Sequence, residues 1–172
     1  MRLWNVLWLG SVLMGACAAR GQAVVSVPKL DLKRFATGWY EIARLPNKRE
    51  KKCVSNAFQI YAPAYKPGHF QYVQSCLLQD GETNIRNLNG RLDEERDGKL
   101  KLSTFPLFST KLWVMATGPD FEWALVGSPN HNLLWVLSRT ATMDSAVLQQ
   151  VEGIATAQGF TVGKLEMVVQ GK

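Results

Sequence analysis

Cysteine and histidine are the side chains in this sequence best suited to covalent or coordination chemistry, and their spacing limits which kind is open to them. Cys17, Cys53 and Cys76 are separated by tens of residues, with no Cys-x-x-Cys pair, and His69 and His131 also lie far apart in the chain. Structural metal sites draw such ligands at short, characteristic spacings, and none occurs. A catalytic thiol would need a base and a group to orient that base, and the pattern marks neither. No cofactor or metal is expected. Two uses remain for the thiols: modification at Cys17 and cross-linking of Cys53 to Cys76.

Cys17 follows Leu13-Met14-Gly15-Ala16, at the end of a segment with one charge, Arg2. Its apolar run, Leu3 to Met14, is broken only by Asn5, Gly10 and Ser11. This is the layout of a secretory signal, and ~12 apolar residues are too few to cross a hydrocarbon core ~30 Å thick. The segment resembles a bacterial lipoprotein signal, with Met14 where leucine is usual. That resemblance implies that Cys17 becomes an acylated N-terminus. An ordinary signal cleaved near Ala16 or Ala18, and a retained helical anchor, are the competing readings. With Ala18 rather than an aspartate after the anchor, the resemblance implies attachment to the outer membrane, where several acyl chains at ~0.8 kcal/mol per buried methylene would hold it. The expected organisation is a signal peptide over 1–16, an anchor and tether over 17–34, and one domain over 35–172.

Removing residues 1–16 leaves 156, enough for one domain with a substantial core. Arg2 is the only charge lost, so the formal balance falls from +6 to +5. The cations lack the Arg-aromatic clustering of nucleic-acid binders, which argues against that partner. Cys53 and Cys76 then form an even pair in an oxidising compartment, where a disulfide is expected, two unrelated thiols being the alternative.

The elements that must position these groups are short strands cut by turn signals. The runs are Trp39–Leu45, Cys53–Tyr61, Phe70–Leu78, Thr83–Leu92, Leu100–Phe105, Leu112–Thr117, Phe121–Val126 and Leu133–Leu137. Pro63 to Gly68, Asp80-Gly81, Asp97-Gly98, Gly118-Pro119 and Gly127 to Asn130 separate them, and such short connections force antiparallel neighbours. Folding about the Pro63 to Gly68 turn brings Cys53 and Cys76 side by side, which supports the cross-link. The period then changes. Val147, Val151, Ile154 and Ala155 recur at helical spacing, with Thr142 as the expected cap and Gly159 as the stop, before a short strand over Leu165–Val169. Ala124-Leu125-Val126 and Leu133–Leu137 are apolar without alternation and need both faces covered. A barrel with one helix against its outer wall covers both, and eight strands leave room inside for side chains or one small ligand.

The stretch Asp31-Leu32-Lys33-Arg34-Phe35-Ala36-Thr37-Gly38-Trp39-Tyr40-Glu41-Ile42-Ala43-Arg44-Leu45-Pro46 resembles the first signature of the lipocalins, with the glycine of Gly-x-Trp shifted by one. Asp120-Phe121-Glu122-Trp123-Ala124-Leu125-Val126-Gly127-Ser128-Pro129 resembles the second, with Thr117-Gly118 where Thr-Asp is usual. Trp135-Val136-Leu137-Ser138-Arg139-Thr140 resembles the third without departure. The nearest branch is the one containing bacterial outer-membrane lipocalins and apolipoprotein D. The resemblance implies an all-β fold: an eight-stranded antiparallel up-and-down lipocalin barrel with one C-terminal α-helix packed outside and a short final strand.

It also implies roles. Trp39 and Arg139 would close the narrow end as a structural pair, a guanidinium over an indole gaining ~0.5–2 kcal/mol. Phe58, Gln74, Trp135 and, by a weaker match, Trp113 would line a ligand cavity, or merely fill it. Lys48, Arg49, Lys51 and Lys52 lie in the loop that borders the open mouth in lipocalins, where they could attract a fatty carboxylate or lipid phosphate; a plainly solvated loop is the alternative. The expected function is a non-enzymatic, membrane-anchored binder of fatty acids, lysophospholipids or similar lipids, for transport, storage or scavenging at the outer membrane. A lipid-modifying enzyme and an envelope assembly protein with a solidly packed core are the alternatives.

Overall fold

The computed structural model describes residues 22–93, 97–105 and 108–171, so Cys17 and the signal-like segment lie outside the described residues. After a short helix α1 (Leu32–Phe35) come β1 (Gly38–Arg44), β2 (Cys53–Pro63), β3 (His69–Leu78), β4 (Thr83–Leu92), β5 (Lys99–Phe105), β6 (Phe108–Thr117), β7 (Trp123–Gly127) and β8 (Leu134–Ser138). Helix α2 (Ser145–Ala157) and β9 (Glu166–Met167) complete the chain. Each of β2 to β8 pairs antiparallel with the next, and β1 pairs with both β8 and β2, which closes the barrel. The expected fold is the one observed. α1 and the turns after β2, β4 and β6 gather at one end, the closed end. The loops after β1, β3 and β7 stand at the other, the mouth.

β7 and β8 are buried at every position. Ala124, Val126, Trp135 and Leu137 face the interior, while Leu125, Leu134 and Val136 pack outward against Val151 and Ala155 of α2. This is why their sequences lack alternation. The middle of β4 alternates instead, with Leu88 and Gly90 buried between exposed Asn87 and Asn89, because its outer face meets solvent.

The α2 cap differs from the expectation. Thr142 lies in the preceding turn, where its carbonyl accepts the hydroxyl of Thr140, and Asp144 caps the helix. The Asp144 carboxylate accepts the backbone N–H groups of Ala146 at 2.8 Å and Val147 at 3.4 Å, satisfying two donors that have no partner within the helix. The chain leaves the helix through Gln158 and Gly159, whose φ of +85° favours a residue without a side chain.

Packing begins upstream of the expected boundary at residue 35. Val24 is buried in the outer cluster, the Val25 N–H donates to the Gln158 side chain, and the Val27 N–H donates to the Val114 carbonyl at 2.8 Å. Gln22 sits beside Gly159 and His131, at the mouth end, and from there the chain runs down the wall to α1 at the closed end.

β1 and β2 pair only over Gly38–Tyr40, near the closed end. Towards the mouth the C-terminal segment fills the seam between them. β9 pairs with Ala43 and Arg44, and the Gln170 amide donates to the carbonyls of Glu41 and Ala57 at 2.8 and 3.0 Å. Cys53 and Cys76 form a disulfide between β2 and β3, with a Cα separation of 5.5 Å and a sequence separation of 23. Closing a loop of that length removes roughly 3 kcal/mol of unfolded-state freedom.

Candidate functional site

The closed half of the interior is filled by rings. Phe35, Trp39, Tyr61, Phe70 and Tyr72 form a chain of contacts with centroids 4.7–5.6 Å apart. Arg139 lies across this end with its guanidinium carbon 3.4 Å from the centre of the Trp39 ring. It donates to the Gly38 carbonyl at 2.9 Å, to those of Arg34 and Phe121 at 2.7 and 3.0 Å, and to the Thr37 hydroxyl. Burial lowers its pKa to about 10, which leaves it charged at neutral pH. The expected pair is therefore in contact, and Arg139 ties α1 to the start of β1 and to the β6–β7 turn.

Above the rings the interior turns polar. Trp39 and Glu41 share a face of β1, so Glu41 points inward and is fully buried. Its Oε1 accepts the amides of Gln59 at 2.8 Å and Gln74 at 2.9 Å, and the Tyr61 hydroxyl donates to the Gln59 oxygen at 2.8 Å. Arg44 donates to Glu41 Oε2 at 3.3 Å, placed inward by a register shift in β1 between Glu41 and Ala43. Glu50 descends from the β1–β2 loop. It stands 3.6 Å from Arg44 and accepts the Trp135 indole N–H at 3.0 Å and the Asn47 amide at 2.5 Å. Its Oε1 and the Ser55 hydroxyl oxygen are buried without a hydrogen-bond partner among the described residues.

Two carboxylates around one buried guanidinium cannot both ionise cheaply. Burial first, and then the Glu50 charge, push the Glu41 pKa up from 4.5 to about 8, against the pull of the two glutamine amides. At neutral pH Glu41 mostly holds its proton, and Arg44 stands 3.3 Å from its carboxyl and 3.6 Å from that of Glu50. Burial and the same two acids raise the Tyr61 and Tyr72 phenols, which stay neutral.

The expected pocket residues divide. Gln74 and Trp135 point inward and join this network. Phe58 and Trp113 lie on the outer wall, which corrects their expected inward placement. In β2 Ser55, Ala57, Gln59 and Tyr61 are buried in unbroken alternation with Asn56, Phe58 and Ile60, so Phe58 stands on the face opposite to the inward Gln59 and Tyr61. Phe58 consequently packs edge-on against Tyr40, 4.9 Å between centroids, and over Gly38, where a side chain would collide with its ring. Trp113 alternates with inward Leu112 and Val114, and Lys99 lies over its ring.

Lys48, Arg49, Lys51 and Lys52 are exposed at the mouth, and Arg49 reaches across to the Thr110 hydroxyl at 2.8 Å. Glu50, in the middle of that cationic run, turns inward and pins the loop over the opening. A cleft of about 720 Å³ lies beside it, lined by residues including Lys48, Arg49, Lys111 and Leu133. A groove of about 950 Å³ runs outside the closed end, past Leu30, Leu32, Leu92 and Phe121.

The His131 ring packs against Phe160 at 4.8 Å, and the His69 ring contacts the Pro67 carbonyl, each beside a turn. Among the described residues no three His, Cys, Asp or Glu side chains come together in a way that would hold a metal ion.

A family model described as a lipocalin-like domain matches residues 30–170. The outer membrane lipoprotein Blc of Citrobacter freundii is 32% identical over 164 residues, covering 87% of this chain and 84% of that protein. Apolipoprotein D of Mus musculus is 26% identical over 145 residues, covering 78% and 74%. Among solved structures, insecticyanin from the tobacco hornworm Manduca sexta superposes with a TM-score of 0.68 at 19% identity, covering 87% and 85% of the two chains. Lobster apocrustacyanin A1 gives 0.66 at 15% identity, covering 90% and 94%; both likenesses concern the fold alone.

Proposed function

The chain belongs to the lipocalin family, and on that footing we propose that it is a non-enzymatic binder of fatty acids, lysophospholipids or similar amphiphiles, anchored to the bacterial outer membrane through acylated Cys17. The observation that carries the reading is the polarity gradient inside the barrel, from apolar walls to the Glu41, Gln59, Gln74, Arg44 and Trp135 cluster below the mouth. A ligand with a greasy chain and one polar end matches such a gradient. Apolar area would supply affinity at ~25 cal/mol per Å², and the few polar groups would orient the guest. The name of the Citrobacter freundii relative supports the location.

The Glu50 loop sets the way in. A guest entering from the mouth displaces Glu50 from Trp135 and Arg44, so the loop acts as the lid. The reading assigns no chemistry to the site: Glu41 is a buried proton holder, but no nucleophile lies among its described partners. A second reading, a barrel packed solid, draws on the rings that fill the closed half.

Lipid extraction and mass spectrometry of the purified domain, with tryptophan quenching by added palmitate and lysophosphatidylcholine, separates the two. We expect co-purified lipid and saturable quenching that falls more than twofold in Trp135→Phe. A lipid-free barrel without response overturns the proposal, and a response unchanged in Trp135→Phe but lost in Phe121→Ala moves the site to the closed-end groove.

A further inference from the structure

We propose that the mouth of the barrel faces, and docks on, the lipid bilayer that holds the anchor, so that the opening lies against the headgroup layer and the closed end points away from it. This rests on acylation of Cys17 as proposed above and adds an orientation that acylation alone does not fix.

The first argument is the reach of the chain. Gln22 lies at the mouth end, beside His131 in the β7–β8 turn and Gly159 at the end of α2. From there to Cys17 is five residues, which span at most ~18 Å when fully extended. Residues 24–27 are bound to the wall by Val24, Val25 and Val27, so the chain leaves the wall towards the anchor from the mouth end, and the bilayer must lie within that reach of Gln22.

The second argument is the chemistry of the rim. The mouth end exposes Lys48, Arg49, Lys51, Lys52 and Lys111, and the cleft between them opens beside the turn that Gln22 touches. Phe108, at the start of β6, is 76% exposed at the same end. The acids there are Asp80 and Glu82 in the β3–β4 turn and Glu166 in β9, leaving the cations in excess. Basic side chains within a Debye length of an anionic leaflet are drawn to it, and an aromatic ring beside them suits the headgroup boundary. An opening held there would exchange an acyl guest with the membrane without passage through water.

The test uses the full acylated chain in phosphatidylethanolamine vesicles containing one quarter phosphatidylglycerol, with a fluorophore on Asn132→Cys at the mouth or Lys66→Cys at the closed end. The native cysteines are occupied by the anchor and the disulfide. Quenching by lipids carrying a headgroup quencher should be at least threefold stronger at position 132 than at 66, and the ratio should fall at least twofold when Lys48, Lys51 and Lys52 are all changed to glutamine. Intact mass is measured on the same samples. A chain without acyl groups removes the anchor and this orientation with it. An acylated chain with equal or reversed quenching overturns the orientation alone. A ratio insensitive to the lysine changes overturns the role of the rim and leaves the reach of the tether as its cause.

Discussion

Glu41 is under electrostatic tension, because its glutamine partners stabilise a charge that burial and Glu50 oppose. A carboxyl that keeps its proton when folded and loses it when unfolded makes folding less favourable as pH rises from 4.5 to about 8, with no further loss above. Urea unfolding should show stability falling across that window, and Glu41→Gln should flatten the slope; parallel curves for the two proteins would remove the protonated-acid assignment. Arg139 makes the opposite kind of contribution. Its bonds join α1, β1 and the β6–β7 turn, and Arg139→Ala should lower the thermal midpoint by several degrees, equivalent to about 2 kcal/mol for lost charge-assisted hydrogen bonds and ring contact. Both residues could be read ahead of the structure, though unequally. Arg139 lies in a recognisable signature, whereas the signal for Glu41 was only its parity with Trp39, two positions earlier on a strand bound to bury that face.

At the scale of elements, β2 and α2 show where a pattern is enough and where it is not. The apolar spacing of Val151 and Ala155 located the buried face of α2, since helical period survives small errors of boundary. Its start depended on which of several polar residues could reach the free N–H groups, and Asp144 does so where Thr142 does not. Asp144→Ala should cost about 1 kcal/mol, read as a lower urea midpoint with unchanged slope; no change would assign the helix start to tertiary packing alone. In β2 the limits of the hairpin were legible, and parity decides its faces: Ser55, Ala57, Gln59 and Tyr61 are buried, and Phe58 falls on the other face with Ile60. The expectation for Phe58 came from the resemblance and not from that alternation, whereas Gln74 lies opposite Gln59 and points inward with it. Directly opposed residues share a face, so Gln74 and its partner Gln59 go in together once the true register is known.

At the scale of the whole molecule, the meander of short strands, the double-covered β7 and β8 and the three signatures made the closed barrel legible in advance. Residues 24–30 were harder to place. Their polar-to-mixed composition reads as a spacer, yet hydrogen bonds to β6 and α2 hold them on the wall. The C-terminal seam has a bearing on how the protein comes into being. β1, the first strand made, finds its neighbours in β2, β8 and β9, and the last two of these follow every other strand of the sheet in the sequence. The ribosome delivers the chain from its N-terminus, so the wall stays open until β8 has arrived. An unfinished polypeptide thus has no closed barrel, and β2 and β3, the strands that the Cys53–Cys76 bridge joins, are made well before β8 arrives to shut the wall.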